Sequence, residues 1–149
     1  MPTHMRQQIR QGAATALASL ATSGANVFLS RAAAIAADRF PAIAISTQNE
    51  TSEPQTTFGP GRIVQRTVEL LVEAVAVEND TYADTLDQIA LEVETALADN
   101  MSLGVGAKWI DPPETNIETD GRGQLVVAVA VMTFRVTYFT AQNAPGVAL

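Results

Sequence analysis

Residues 62–99 read RIVQRTVELLVEAVAVENDTYADTLDQIALEVETALAD, and the fold depends on how this stretch divides. Over 62–77, Val64, Val68, Leu70, Val72, Ala74 and Ala76 fall on one side of an extended chain. Gln65, Thr67, Glu69 and Glu73 fall on the other, which is the period of two of a β-strand. The polar side predicts water or a partner against it. Over 81–99 the period lengthens to that of a helix, with Tyr82, Leu86, Ile89, Ala90, Val93 and Leu97 in one stripe. Thr81 and Asp84 predict an N-cap pair, and Asp80 and Asp84 suit the positive end of the helix dipole. Asp84, Asp87, Glu94 and Thr95 lie outside, and Leu91 projects among them as a candidate subunit contact.

Upstream, Met5, Ile9, Ala13, Ala16, Leu17 and Leu20 share one arc of a helix over roughly 4–21, stopped by Ser23-Gly24. A short strand at 26–30 and a second at 42–47, introduced by Pro41, follow. Residues 48–61 are polar and rich in turn formers, which predicts a long loop of functional or mobile character. Downstream, 100–108 turns the chain and a strand near Trp109-Ile110 is interrupted by Pro112-Pro113. It resumes over 115–119, and Asp120-Gly121-Arg122-Gly123 predicts a hairpin turn. A last strand spans about 124–140, with its first half apolar on both sides, and 141–149 is expected to be a flexible tail. The whole predicts a single α+β domain over 1–149. It is an α/β sandwich, with a mainly antiparallel sheet of about five strands and two helices packed on one face.

Composition narrows the chemistry. Of 149 residues, 47% are hydrophobic, 17% charged and 5% aromatic, a globular balance without an apolar run of membrane length. With no cysteine, there is no disulfide, thiolate nucleophile or cysteine-held metal. With His4 as the single histidine, a histidine triad or multi-histidine metal site cannot be built within one chain. The start, Met1-Pro2-Thr3-His4-Met5-Arg6, lacks the apolar core of a secretory signal, so a cytoplasmic origin is expected. The net charge of −7 is unevenly spread. Residues 67–121 hold thirteen of the sixteen acids and only Lys108 as a base, whereas six arginines lie within 1–66. Such segregation suits either a monomer with a solvated acidic stretch or head-to-tail packing of copies, and the net charge disfavours a nucleic-acid groove.

Gly59-Pro60-Gly61 and Gly104-Val105-Gly106 lack the Gly-Lys-Ser/Thr of a phosphate loop, and both read as turns. Asp111, Glu114, Glu118 and Asp120 form an acidic rim. A small carboxylate-dependent hydrolase using Asp111 or Glu118 stays open as an alternative. No catalytic residue, cofactor or metal ligand is assigned. Eight arginines against one lysine suit interface ion pairs through their planar forks of donors, with codon bias the plain alternative.

The runs GANVFLSR (24–31) and FPAIAI (40–45), the long strand ending Val75-Ala76-Val77, the helix 81–99 and the closing Phe134-Arg135-Val136-Thr137-Tyr138 come in a particular order. In that layout the chain resembles the tail terminator proteins of long-tailed bacteriophages, the family of the lambda minor tail protein U. The resemblance implies a structural virion protein at the head-proximal end of the tail. It would form a hexameric ring on the tail tube protein, stop tube growth and offer a surface to a head-completion or connector protein. DNA would pass the lumen without specific binding. Another neck protein, for head closure or tail completion, is the nearest alternative. The interface candidates are Arg31, Arg39 and Leu91 for subunit contact, with Glu50, Glu53, Phe58 and Arg62 of the polar loop for tube or neighbour contact.

Overall fold

The two periods of 62–99 become one strand and one helix of a six-stranded α+β fold, in a computed structural model that describes residues 3–56, 58–122 and 125–149. In chain order the elements are α1 (Met5–Leu17), β1 (Val27–Phe28), two single 3₁₀ turns (Ala32–Ala34 and Ala37–Arg39), β2 (Ala42–Pro54) and β3 (Ile63–Val77). Then come α2 (Tyr82–Ala98), β4 (Trp109–Ile110), β5 (Glu114–Arg122) and β6 (Leu125–Ala141). The sheet order is β1-β2-β3-β6, with β4 and β5 sharing the outer edge of β6. Among the described residues only the β1–β2 pair is parallel. Pro112 and Pro113, which lack amide hydrogens, stand at the break between β4 and β5.

Both helices cover one side of the sheet. Met5, Ile9, Ala13 and Leu17 of α1 and Leu86, Ile89, Val93 and Leu97 of α2 bury against Ile43, Ile45, Val68, Leu70, Val72, Met132, Phe134 and Tyr138. The α1 helix is shorter than the apolar spacing predicts. Its periodicity continues to Leu20, but the chain turns after Ala18 and closes a bridge from Leu20 to Gly24, whose φ of 56° suits glycine. At its start, His4 Nδ1 accepts from the Arg6 amide at 3.1 Å and caps the first turn. At the other helix, Thr81 holds the N-cap position but its bonds run backward to Asn79. Asn79 Oδ1 accepts from the Thr81 amide and hydroxyl, and Thr81 makes no side-chain cap bond.

The second side of the sheet differs from the expectation of water or a partner. Ala32 and Ile35 of the 3₁₀ segment, with Phe28 and Phe40, cover Ala42, Ala44, Val75, Val127 and Val129. Half of that side is therefore a second, smaller core closed by the chain itself. The double-sided burial expected for the first half of the last strand is present here.

Three connections also depart from expectation. Half of the loop expected over 48–61 is strand: β2 continues to Pro54, and 55–62 joins it to β3. The cause is a bulge. Thr47 pairs with Leu70 and Glu50 with Val68, three residues on β2 against two on β3, so the inside-outside alternation breaks at Gln48 and Asn49. Of the hairpin turn expected at 120–123, Asp120, Gly121 and Arg122 still pair as strand with Val127, Val126 and Leu125. Gly123 and Gln124 between them lie outside the described residues. The tail 141–149, expected to be loose, is tied down. Gln142 and Asn143 amides donate to the Arg62 and Pro60 carbonyls, the Met5 amide donates to Pro145, and the Leu149 amide donates to Phe139. The turn after α2 packs closely on α1: a Cβ on Gly12 would lie 2.4 Å from the Leu103 carbonyl oxygen.

Candidate functional site

The bulge in β2 decides where Glu50 points. Because it adds one residue, Glu50 rejoins the helix-covered side, beside Arg66 of β3 and Tyr138 of β6, which pair directly across the sheet. The Glu50 carboxylate is only 7% exposed and is held by three donors. Arg6 Nη1 of α1 lies 2.7 Å from Oε1, Arg66 Nη1 lies 3.6 Å from the same oxygen, and the Tyr138 hydroxyl donates to Oε2. Arg66, 13% exposed, donates further to Thr140 Oγ1 at 3.0 Å. Burial, and then the bond to Glu50, push the Tyr138 phenol well above its ordinary range. A buried carboxylate with this many donors anchors α1 and the hairpin to the sheet. Glu50 is therefore an internal anchor and not the exposed loop contact that its sequence setting predicts.

Sequence reading did not assign Arg6, Arg66 or Tyr138 to a site, although one signal was present. Position 66 falls on the apolar side of the β3 alternation, between Val64 and Val68, where an arginine needs a buried acceptor.

The other candidates scatter. Arg31 Nε pairs with Glu73 Oε1 at 2.7 Å on the opposite side of the sheet, and the Ala32 amide donates to the same oxygen at 3.2 Å. The Glu73 hydrogen bond and its charge raise the Arg31 pKa above its usual value. The arginine expected at a subunit contact thus has a partner within the chain. Arg62 donates through Nε to Gln142 and fastens the hairpin to the tail. Arg39 is exposed on its 3₁₀ turn, and Glu53 is exposed on β2. Phe58 stands at the hairpin tip with 94% of its surface open, and Leu91 is 60% exposed on α2 among the exposed acids Asp84, Asp87 and Glu94. The structure does not bring these residues together at one point. It leaves Phe58 and Leu91 as separate apolar exposures.

A groove of about 450 Å³ runs between the C-terminal end of α2 and the β4–β5 break. Leu97, Met101, Ile110, Pro112, Pro113 and Phe134 give it an apolar floor, and Glu94, Asp99 and Asp111 stand along it. On the other side of the sheet Glu69, Asp111, Glu114 and Arg135 line a smaller polar hollow. Among the described residues no group of three or more histidines or acids is placed to hold a metal ion. Among the same residues no helix is long and apolar enough to cross a membrane. Glu92, outside both depressions, receives the Thr22 amide at 2.9 Å and its hydroxyl at 2.5 Å. Burial pushes its carboxyl up, but the hydrogen bonds from Thr22, Gln88 and Ala21 together hold the pKa below the ordinary range. Its role is to clip the α1–β1 connection onto α2.

No protein-family model matches the chain, and no curated protein matches it.

Proposed function

We propose that this chain is a non-enzymatic ring subunit of the phage tail terminator kind. In this reading copies assemble as a hexameric ring on the last ring of a tail tube protein, prevent further tube growth and present their other surface to a head-completion or connector protein. The observation that carries the reading is Phe58, an aromatic side chain held 94% exposed at the tip of a hairpin whose strands are anchored in the core. Such a side chain gains burial only against another molecule.

The charge distribution supports the same reading. Asp84 and Asp87 are exposed along α2, which carries no basic residue. Turned toward a lumen, these acids would repel the DNA backbone and let it pass without specific binding. Coverage of a tube end needs matching shape and contact area, not a catalytic constellation or a cofactor. Electron microscopy of tube protein polymerised with and without this chain tests the proposal. Capped tubes that stop lengthening when the chain is added are expected. Tubes that lengthen at the same rate, with no density at their ends, would overturn it.

A further inference from the structure

We infer that the Phe58 hairpin tip of one copy seats in the apolar groove beside Pro112 and Pro113 of a second copy. The partner, a second copy of this chain, rests on the ring-subunit reading above. The knob and the hole are both on one chain, yet one chain cannot join them. The hairpin tip lies beyond the Ile63–Ala141 pair, whereas the groove is built on Phe134, seven residues earlier on β6. At the rise of an extended strand that separation is about 23 Å.

The charges agree in sign. Arg62 is the only charged residue of the connection 55–62, while Glu94, Asp99 and Asp111 flank a groove that no basic residue lines. The groove's volume of about 450 Å³ falls in the range that takes a compact organic group, and its floor is apolar, as a phenyl ring requires. Met101 on its wall is 41% exposed in the isolated chain and would be covered by the insertion. A knob on one part of the surface and a hole on another make a head-to-tail contact, the kind that repeats into a ring or an open chain of subunits.

The absence of native cysteine makes a direct test clean. Phe58→Cys and Met101→Cys are prepared separately, both at exposed positions, and circular dichroism confirms that each folds. The two are then mixed in equal amounts under mild oxidation. A covalent heterodimer in the mixture is expected, with much less product from either variant alone. A double variant should give a ladder of species. In a cysteine-free background, Phe58→Ser should lower the self-association of the chain at least tenfold by sedimentation. Crosslinking of Phe58→Cys to itself in preference to Met101→Cys would overturn the inference, as would no crosslink in the mixture. Tube capping by the unmodified chain is read separately. Capping without the 58–101 crosslink leaves the terminator reading standing and removes this contact; the crosslink without capping does the reverse.

Discussion

Replacing Glu50 by alanine should destabilise the chain by about 3 kcal/mol, more than removing either arginine of its network. The figure follows from what the carboxylate leaves behind. Tyr138 is fully buried and loses a charged acceptor, a bond worth roughly 1.5–3 kcal/mol. Arg66, 13% exposed, loses its carboxylate but keeps Thr140 and Ser52, so its cost lies at or below the ~3–5 kcal/mol of a broken buried pair. Arg6 is 40% exposed and turns to water, so its share is under about 1 kcal/mol. These contributions overlap and do not simply add. The expected order of cost is therefore Glu50→Ala, then Arg66→Ala, then Arg6→Ala. Urea unfolding should show a lower midpoint with an unchanged slope, and the melting temperature should fall by roughly 6–12 °C for a chain of this size. A loss for Glu50→Ala within about 0.5 kcal/mol of zero would refute the reasoning. So would Arg6→Ala costing as much as Glu50→Ala, since a largely solvated partner cannot carry the network.

Gly12→Ala should destabilise, although alanine exceeds glycine by about 1 kcal/mol in helix propensity. The new Cβ would meet the Leu103 carbonyl oxygen at 2.4 Å, and backbone yields less readily than a side chain. A net loss of about 1–2 kcal/mol in chemical denaturation is expected, and a gain would mean that the turn after α2 moves freely. The second change concerns acid. Burial first, and then the neighbouring Arg6, lower the pKa of His4 below its ordinary 6.5 in the folded chain, so folding favours the neutral ring. That contribution is complete above the unfolded pKa and is lost as pH falls through 6.5 toward the lower folded value. Protonation also removes the Nδ1 acceptor that caps α1. His4→Asn keeps a capping oxygen without titrating, so wild type should lose stability relative to this variant between about pH 8 and pH 5. Parallel stability profiles for the two would count against it.

Much of the layer arrangement was legible because it follows from side-chain period. Val64 through Ala76 alternate and Leu86 through Leu97 recur at helical spacing, and both sets are buried where their periods place them. The misread segment shows what period cannot carry. Residues 48–54 are polar, and the bulge shifts the inside-outside rule by one residue, so a strand of thirteen residues resembled a short strand and a loop. The tail was hidden for a different reason. It is held largely by amide-to-carbonyl bonds, such as those of Pro145, Pro60 and Phe139, which side-chain identity does not encode. The candidate contacts divide along the same line. Exposure of Leu91 and Phe58 follows from local pattern, whereas the partners of Arg31, Glu50 and Arg62 lie 16 to 88 residues away in the chain. Only the folded arrangement could show that those three have partners inside the molecule.

The central place of β6 sets the timetable of folding during translation. It pairs with β3 on one edge and with β4 and β5 on the other, yet it follows all of them in the chain. While the ribosome is still making residues 125–141, β3 has only β2 as a neighbour, and its other edge offers unpaired amides and carbonyls beside Val68, Leu70 and Val72. The nascent chain must carry that apolar edge unprotected until residues 125–141 have emerged. Chaperone demand should therefore peak just before β6 emerges, and truncations before residue 125 should aggregate rather than yield a partly folded domain.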